Sequence, residues 1–271
     1  MKKHFFTLLA YFFILIGVCG PGLAATTFDN LVVFGDSLSD TGKFDGRRFS
    51  DGAIWVETLA ENLGLALNNH AYAGATTDYD NPSAGLSYTG LLWQVAQYGS
   101  SSPTENSLVT VWAGANDLAD ERGYAAAANN IVTALGLLYD EGFRYFMVLN
   151  LPDIGNTPKL QIQGQSDADA ASWWSKAFNA DLAVKLTNFA EAYEGVMLYD
   201  LDIYAAFDEY TVNTQAWADL FWIDGYHPSS TGHAMIADIA ASAVPVPQTA
   251  LLLVSGLLGL ALAGRKRRNA S

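Results

Sequence analysis

Ser37, Asp224 and His227 are the residues of this 271-residue chain whose types and settings could together perform nucleophilic chemistry. A serine hydroxyl is a weak nucleophile until a base takes its proton, and an imidazole does so best when a carboxylate fixes its tautomer. The loop Asp224-Gly225-Tyr226-His227-Pro228 sets a carboxylate three residues before an imidazole around a glycine turn. Asp224 can then accept from one ring nitrogen of His227 while the other faces Ser37. Gly, Asp and Ser are also ordinary turn residues. The distant Asp–His pair is what lifts Ser37 above a turn.

These side chains need elements to carry them. Ser37 follows the apolar run Leu31-Val32-Val33-Phe34, and Gly35 permits a sharp turn where that run ends. A short β-branched and aromatic run bounded by glycine predicts a buried strand. Further strands are expected over Leu65 to Ala71, Leu108 to Trp112, Tyr145 to Leu149 and Val196 to Tyr199. Helical stripes run through Ile54 to Leu63, Ala128 to Leu138, Trp174 to Tyr193 and Thr231 to Ala241. Strands that are continuous apolar runs, alternating with helices, predict an α/β domain with a mainly parallel five-stranded sheet covered on both faces. Open α/β sheets hold their chemistry in the loops beyond the strands' C-terminal edges, which is where Ser37 falls.

Two further segments complete the pattern: Asn69-His70-Ala71-Tyr72-Ala73-Gly74-Ala75-Thr76 and Gly114-Ala115-Asn116-Asp117. With Gly35-Asp36-Ser37-Leu38 and Asp224/His227 they form four ordered blocks that span most of the chain. In these blocks the chain resembles the GDSL, or SGNH, family of serine hydrolases. The Arg47-Arg48-Phe49-Ser50-Asp51-Gly52 turn and Phe221-Trp222 resemble its bacterial phospholipase- and haemolysin-like branch, although Ala73 stands where that branch often has glycine. The resemblance implies a three-layer α/β/α sandwich of flavodoxin-like SGNH type. It also implies catalysis by Ser37, Asp224 and His227, with an oxyanion hole made by Ser37, Gly74 and Asn116. The physics agrees: acyl transfer builds negative charge on the former carbonyl oxygen, and each donor fixed toward it is worth about 3–4 kcal/mol. Asn116 offers a side-chain N–H, and Gly74 a backbone N–H with no Cβ in the way.

The two ends suggest export. Lys2 and Lys3, the apolar stretch Phe5 to Val18 and the small residues around Gly22-Leu23-Ala24 predict a signal peptide over residues 1–24. Its cleavage would remove Cys19, the only cysteine, leaving a mature domain with neither disulfide nor thiolate metal site. At the other end, two prolines, the apolar Leu251 to Ala263 and Arg265-Lys266-Arg267-Arg268 resemble a PEP-CTERM sorting signal of Gram-negative bacteria over residues 244–271, with Val246 where the namesake motif has Glu. The alternative is a short membrane anchor with snorkelling basic residues. The hydrolase domain is then 25–243, and an exosortase-type enzyme and transient membrane association are implied for the tail. Removing both ends leaves 8 Lys+Arg against 28 Asp+Glu, a net charge of 8 − 28 = −20. Such a surface repels nucleic acid and anionic lipid headgroups at low salt.

Several residues have plainer explanations. His70 and His233 are expected to be structural, and Trp173 and Trp174 to belong to the core. Asp36 and Asp40 lack the third ligand a metal site needs, so neither metal nor cofactor is expected. The aromatic segment Tyr204 to Trp222, just before the Asp–His loop, is expected to line an apolar acyl or substrate pocket. The sequence therefore points to an exported serine esterase or lipase acting on carboxylic esters. An exopolysaccharide O-acetyl esterase and a non-catalytic matrix protein on a hydrolase scaffold are the alternatives. Intact-mass measurement of the native protein tests the tail: processing near Pro245 and Pro247 should shorten the chain there, whereas a mature form still ending at Ser271 would refute a sorting signal.

Overall fold

A computed structural model describes residues 27–43, 46–98 and 106–245, and within them Phe28–Val244 forms a compact unit. The expected signal peptide lies outside the described residues, as does the tail beyond Pro245. Five strands, β1 (Asn30–Gly35), β2 (Ala66–Asn69), β3 (Ser107–Trp112), β4 (Tyr145–Leu149) and β5 (Met197–Leu201), make one sheet in the order β2-β1-β3-β4-β5. Every pairing is parallel. The sheet is the α/β architecture expected from the alternating strands and helices.

The central strands are apolar because both of their faces are covered. Leu31, Val33 and Phe34 of β1, Leu108, Val109 and Val111 of β3 and Phe146 to Leu149 of β4 have no solvent exposure. Two packs of helices cover them. On one side α1 (Trp55–Leu63) packs against the C-terminal helix Ser230–Ala243, with α1 on β1 and β2. On the other, α2 (Leu91–Tyr98) packs on α4 (Tyr124–Asp140), and α4 on the 28-residue α6 (Gln165–Ala192). Short helices α3 (Ala115–Ala119), α5 (Pro158–Gln163), α7 (Ile203–Asp208) and α8 (Gln215–Ala218) follow strand ends or fill the connections, and Ser230–Ala243 is α9.

Differences from the sequence expectation are local. Strand β2 ends at Asn69 rather than Ala71 because the Asn69 side chain turns the backbone: its Oδ1 accepts from Ala71 N at 2.9 Å. Strand β5 runs to Leu201, beyond the expected Tyr199, because Asp200 and Leu201 continue the parallel pairing with Val148 and Leu149, and the exposed Asp200 breaks the apolar pattern that marks a strand in sequence. Of the tryptophan pair expected in the core, Trp174 is buried but Trp173 is 62% exposed, its ring edge-on to Tyr124. Neighbours on a helix point in different directions, so one stripe cannot bury both.

Register is what positions the chemistry. Gly35 at the end of β1 pairs with Trp112 at the end of β3, so the turn carrying Ser37 and the turn carrying Asn116 leave the sheet side by side. The order β2-β1-β3 places this pair of strands at the point where the chain switches direction across the sheet, the usual crevice for ligands in open α/β folds. The approach is close enough to require glycine: a Cβ at Gly35 would lie 2.3 Å from the Trp112 carbonyl oxygen, at a φ of +154°. Gly35→Ala should therefore destabilise the domain by at least about 2 kcal/mol. A urea unfolding midpoint equal to wild type would contradict this packing.

Candidate active site

Ser37 Oγ lies 2.7 Å from His227 Nε2 across 190 residues of sequence. His227 Nδ1 lies 2.5 Å from Asp224 Oδ2. Ser37 sits in the turn immediately after β1, where Ser39 N and Asp40 N both donate to Asp36 O. Its side chain is thus held at the strand's C-terminal edge, 7% exposed.

The Asp–His loop is built by its own carboxylate. Asp224 Oδ1 accepts from Tyr226 N at 2.9 Å and His227 N at 3.0 Å, which leaves Oδ2 for the ring. Gly225, at φ +74°, lets the loop reverse, and its carbonyl accepts from Lys159 N at 3.1 Å, docking the loop on α5. Ser229 then caps α9, its Oγ accepting from Gly232 N. The Phe49 ring packs 4.7 Å from the imidazole, and Asp51 Oδ1 accepts from Ser230 N. The Arg47–Gly52 turn thus braces the histidine from the side.

Asn116 opens α3 beside β3, following Gly114, whose absent Cβ leaves room for Phe178. Its Nδ2 donates to Ala75 O at 3.0 Å and to Asp36 Oδ2 at 3.3 Å. The Gly74 loop and the nucleophile turn therefore meet on one amide. Gly74 has φ +80°, and an added Cβ would come 2.6 Å from Asn81 Oδ1, so conformation and space both require glycine there. Among the described residues, neither the Ser37 nor the Gly74 N–H donates to a protein acceptor.

A buried relay that sequence reasoning did not find ties these turns together. Gln94 Oε1 accepts from Gly35 N at 3.0 Å, while its Nε2 donates to Gly35 O at 2.8 Å and Thr89 O at 2.9 Å. Asn81 Nδ2 donates to Thr89 Oγ1 at 3.0 Å and Ala73 O at 2.8 Å. Ala73 N in turn donates to Asp40 Oδ2. Gln94, Thr89 and Asn81 are at most 2% exposed, and Thr89 is held at φ +77°, a strained conformation for a β-branched residue. On the far side, Asp117 accepts from both Thr77 N and Thr77 Oγ1, locking the same loop to α3.

Electrostatics sort the carboxylates. Burial acts to raise Asp224, but hydrogen bonds from the His227 ring and from the His227 and Tyr226 amides outweigh it, so its pKa lies below the ordinary value. Asp36 is wholly buried, and that burial pushes it up to about 7 against the Leu38 amide and the nearby His227. Asp40 accepts from the amides of Gly42, Lys43 and Ala73. Among the described residues, no group of three or more His, Cys, Asp or Glu is placed to hold a metal. Neither of the remaining described histidines contacts Ser37. His70 stacks on Phe34 and meets Tyr98 edge-on, and His233 is fully buried in α9.

The pair Ser37–His227 opens onto a cavity of about 620 Å³. Its walls are mainly apolar, including Leu118, Leu151, Ile154, Leu160, Phe207 and Phe221. The aromatic segment 204–222 thus contributes in part. Phe207 and Phe221 face the cavity, whereas Tyr204 donates its hydroxyl to Asp153 Oδ2 and Trp217 its indole N–H to Asn156 O. Of the expected oxyanion residues, Ser37 and Asn116 line this space; Gly74 lies behind them, one residue from the carbonyl that Asn116 binds.

An activated serine, an oriented histidine and nearby amide donors beside an apolar cavity suit acyl transfer. Comparison with known proteins agrees. The GDSL-like Lipase/Acylhydrolase family profile matches residues 31–240. A phosphatidylcholine-sterol acyltransferase of Aeromonas hydrophila is 30% identical over 219 residues, covering 68% of this chain but only 64% of that protein. An acetylesterase of Thermothelomyces thermophilus is 27% identical over 265 residues, covering 79% and 87%. Among solved structures, a lipolytic protein of the G-D-S-L family from Veillonella parvula superposes with a TM-score of 0.56 at 16% identity, over 79% of this chain and 96% of that one, which shows a shared fold. The chain belongs to the GDSL-like lipase/acylhydrolase family.

Proposed function

We propose that this chain is an exported serine esterase that works through an acyl-enzyme on Ser37. The observation that carries the reading is the hydrogen-bonded sequence Ser37 Oγ, His227 Nε2, His227 Nδ1, Asp224 Oδ2 at the mouth of an apolar cavity. Ser37 Oγ attacks the ester carbonyl while its proton passes to His227. The imidazolium that forms is stabilised by Asp224, and it returns the proton to the departing alcohol oxygen. The oxyanion of the tetrahedral intermediate is met by the Ser37 amide, by the Gly74 amide and by Asn116 Nδ2 once it turns from Asp36 Oδ2, its longer bond at 3.3 Å; a donor in such a site is worth about 3 kcal/mol. Water then gives a proton to His227 as its oxygen bonds the acyl carbon; the bond from that carbon to Ser37 Oγ breaks, His227 returns the proton to Oγ, and the acid leaves.

The phospholipase- and haemolysin-like branch is supported by the relative from Aeromonas, an acyltransferase by name. The net charge of the trimmed domain argues against anionic membranes as preferred substrates at low salt. The apolar tail with its basic end fits sorting to the outer surface or anchoring of a Gram-negative cell. An O-acetyl esterase acting on exported polysaccharide is the second reading, favoured by the acetylesterase relative. Deacetylation of such a polymer much faster than hydrolysis of any lipid-like ester would replace the first reading with it.

On a p-nitrophenyl ester Ser37→Ala should lower kcat by roughly 10⁶-fold and Asp224→Asn by roughly 10⁴-fold, and near-normal turnover by either would refute the assignment. The base must be neutral imidazole, so rate falls as pH falls and His227 takes up a proton. Asp224, held below the ordinary carboxylate range, stays ionised through this interval. Burial pushes the Asp36 carboxyl up to about 7, and Asp36→Asn separates the two groups: the acid limb of the pH–rate profile must survive in that variant. Its disappearance would assign the limb to Asp36 and count against a histidine base.

The Gln94 relay gives a kinetic expectation of its own. Gln94→Ala leaves the Gly35 N–H buried without an acceptor and frees the turn before Ser37. A displacement of that turn should lower kcat by roughly ten- to hundred-fold with KM nearly constant. Wild-type kcat in a folded Gln94→Ala protein would show that the relay does not position the nucleophile.

A further inference from the structure

We propose that the cavity beside Ser37 is an acyl-chain chamber whose length selectivity is set by the small residues of α6, so that the substrate is a medium-chain aliphatic acyl ester and not an acetate. The inference rests on the esterase reading and adds the part of the substrate that the chamber holds.

Three observations carry it. The first is a satellite cluster. Leu160, Ala168 and Ala171 form a small buried cluster of their own, and Leu118 and Ile154 pack both on it and on the main core that holds the sheet. Leu118, Ile154, Leu160 and Ala171 of this cluster all face the cavity. Its apolar surface therefore serves the cavity in addition to the fold.

The second is that the wall is fixed in advance. Asp153 Oδ1 accepts from Ser172 Oγ at 2.5 Å and Gly155 N at 3.1 Å, and Ile154 N donates to Ser175 Oγ at 3.3 Å. A Cβ at Gly155 would lie 2.0 Å from the Ala168 carbonyl oxygen, so the segment lies directly on the α6 backbone. Preformed walls suit a flexible chain, because the protein need not be ordered when the ligand binds.

The third is size and chemistry. A volume of about 620 Å³ is typical of a whole small-molecule site, and an acetyl group would leave most of it empty. Ala115, Ala119, Ala170 and Ala171 keep the space open where larger side chains would close it. The aliphatic walls at Leu118, Leu151, Ile154 and Leu160 form an apolar stretch that suits an alkyl chain, while Thr157, Gln163 and Tyr226 supply the polar part of the lining. Glu121 and Asp167 on the rim disfavour an anionic group at the entrance.

The test compares two ester series on the purified protein: p-nitrophenyl acetate, butyrate, octanoate and laurate, with the alcohol constant, and acetates of alcohols of increasing length, with the acyl group constant. Each buried methylene is worth roughly four-fold, so kcat/KM on the octanoate should exceed that on the acetate by at least about ten-fold. Ala171→Leu and Ala170→Phe fill the chamber and should lower the octanoate-to-acetate ratio by about ten-fold or more. Ala170 is exposed, so that variant puts no burden on folding. An acetate optimum in wild type, an unchanged ratio in both variants, or a ratio that moves only in the alcohol series would overturn the chamber assignment. Failure of the esterase reading looks different: Ser37→Ala would then hydrolyse every ester as fast as wild type.

Discussion

A hydrogen bond between Ser37 and His227 must close a gap of 190 residues, and most of the site's architecture follows from that constraint. The serine is carried by the first strand of the sheet and the histidine by the loop before the last helix. Only a rigid frame can hold two such distant points at 2.7 Å. The parallel sheet supplies it, since its central strands are buried beyond their first residues and paired in one register. The helical pair α1 and α9 then fixes the second point relative to the first. Asp51 and Phe49, just ahead of α1, reach Ser230 and His227 directly, so the nucleophile side and the base side are joined by contact as well as by the frame.

Polar groups inside the domain serve the same end. Burying an amide without a partner is costly, and the chain uses that cost to specify geometry. Gln94 holds both backbone polar groups of Gly35, and Asn81 and Asp40 hold the carbonyl and the N–H of Ala73. The Ser37 and Gly74 N–H groups stand apart from this pairing. These two open donors beside Ser37 are the ones proposed above to meet an oxyanion. The same contrast separates the two carboxylates: Asp224 has donors enough to remain charged, and Asp36, deeper, does not.

Much of this was legible in the sequence because chemistry and burial restrict residue type. Ser37, Asp224, His227 and Asn116 stand in short blocks whose residue types suit the proposed chemistry, and β1, β3 and β4 are mostly apolar runs. The edge strands were less sharp. β2 is largely exposed, and β5 carries Asp200, so neither needs a continuous apolar run. Helices α3, α5, α7 and α8 have four to six residues, too few for a period to show. Gln94 was invisible for another reason. A glutamine in Leu91-Leu92-Trp93-Gln94-Val95 has no local signature, and its partner Gly35 lies 59 residues away. Likewise, four separate segments supply the cavity's alanines and leucines, and only the fold brings them together.

The central claim is that Ser37 is a nucleophile made reactive by His227. Fluorophosphonate labelling of the purified wild-type protein, followed by peptide mass mapping, tests it most directly, because the probe reacts with activated serines and ignores those in ordinary turns. The account predicts one adduct per chain, on the peptide containing Ser37, and none in Ser37→Ala. No adduct, or an adduct on a different serine, would contradict it.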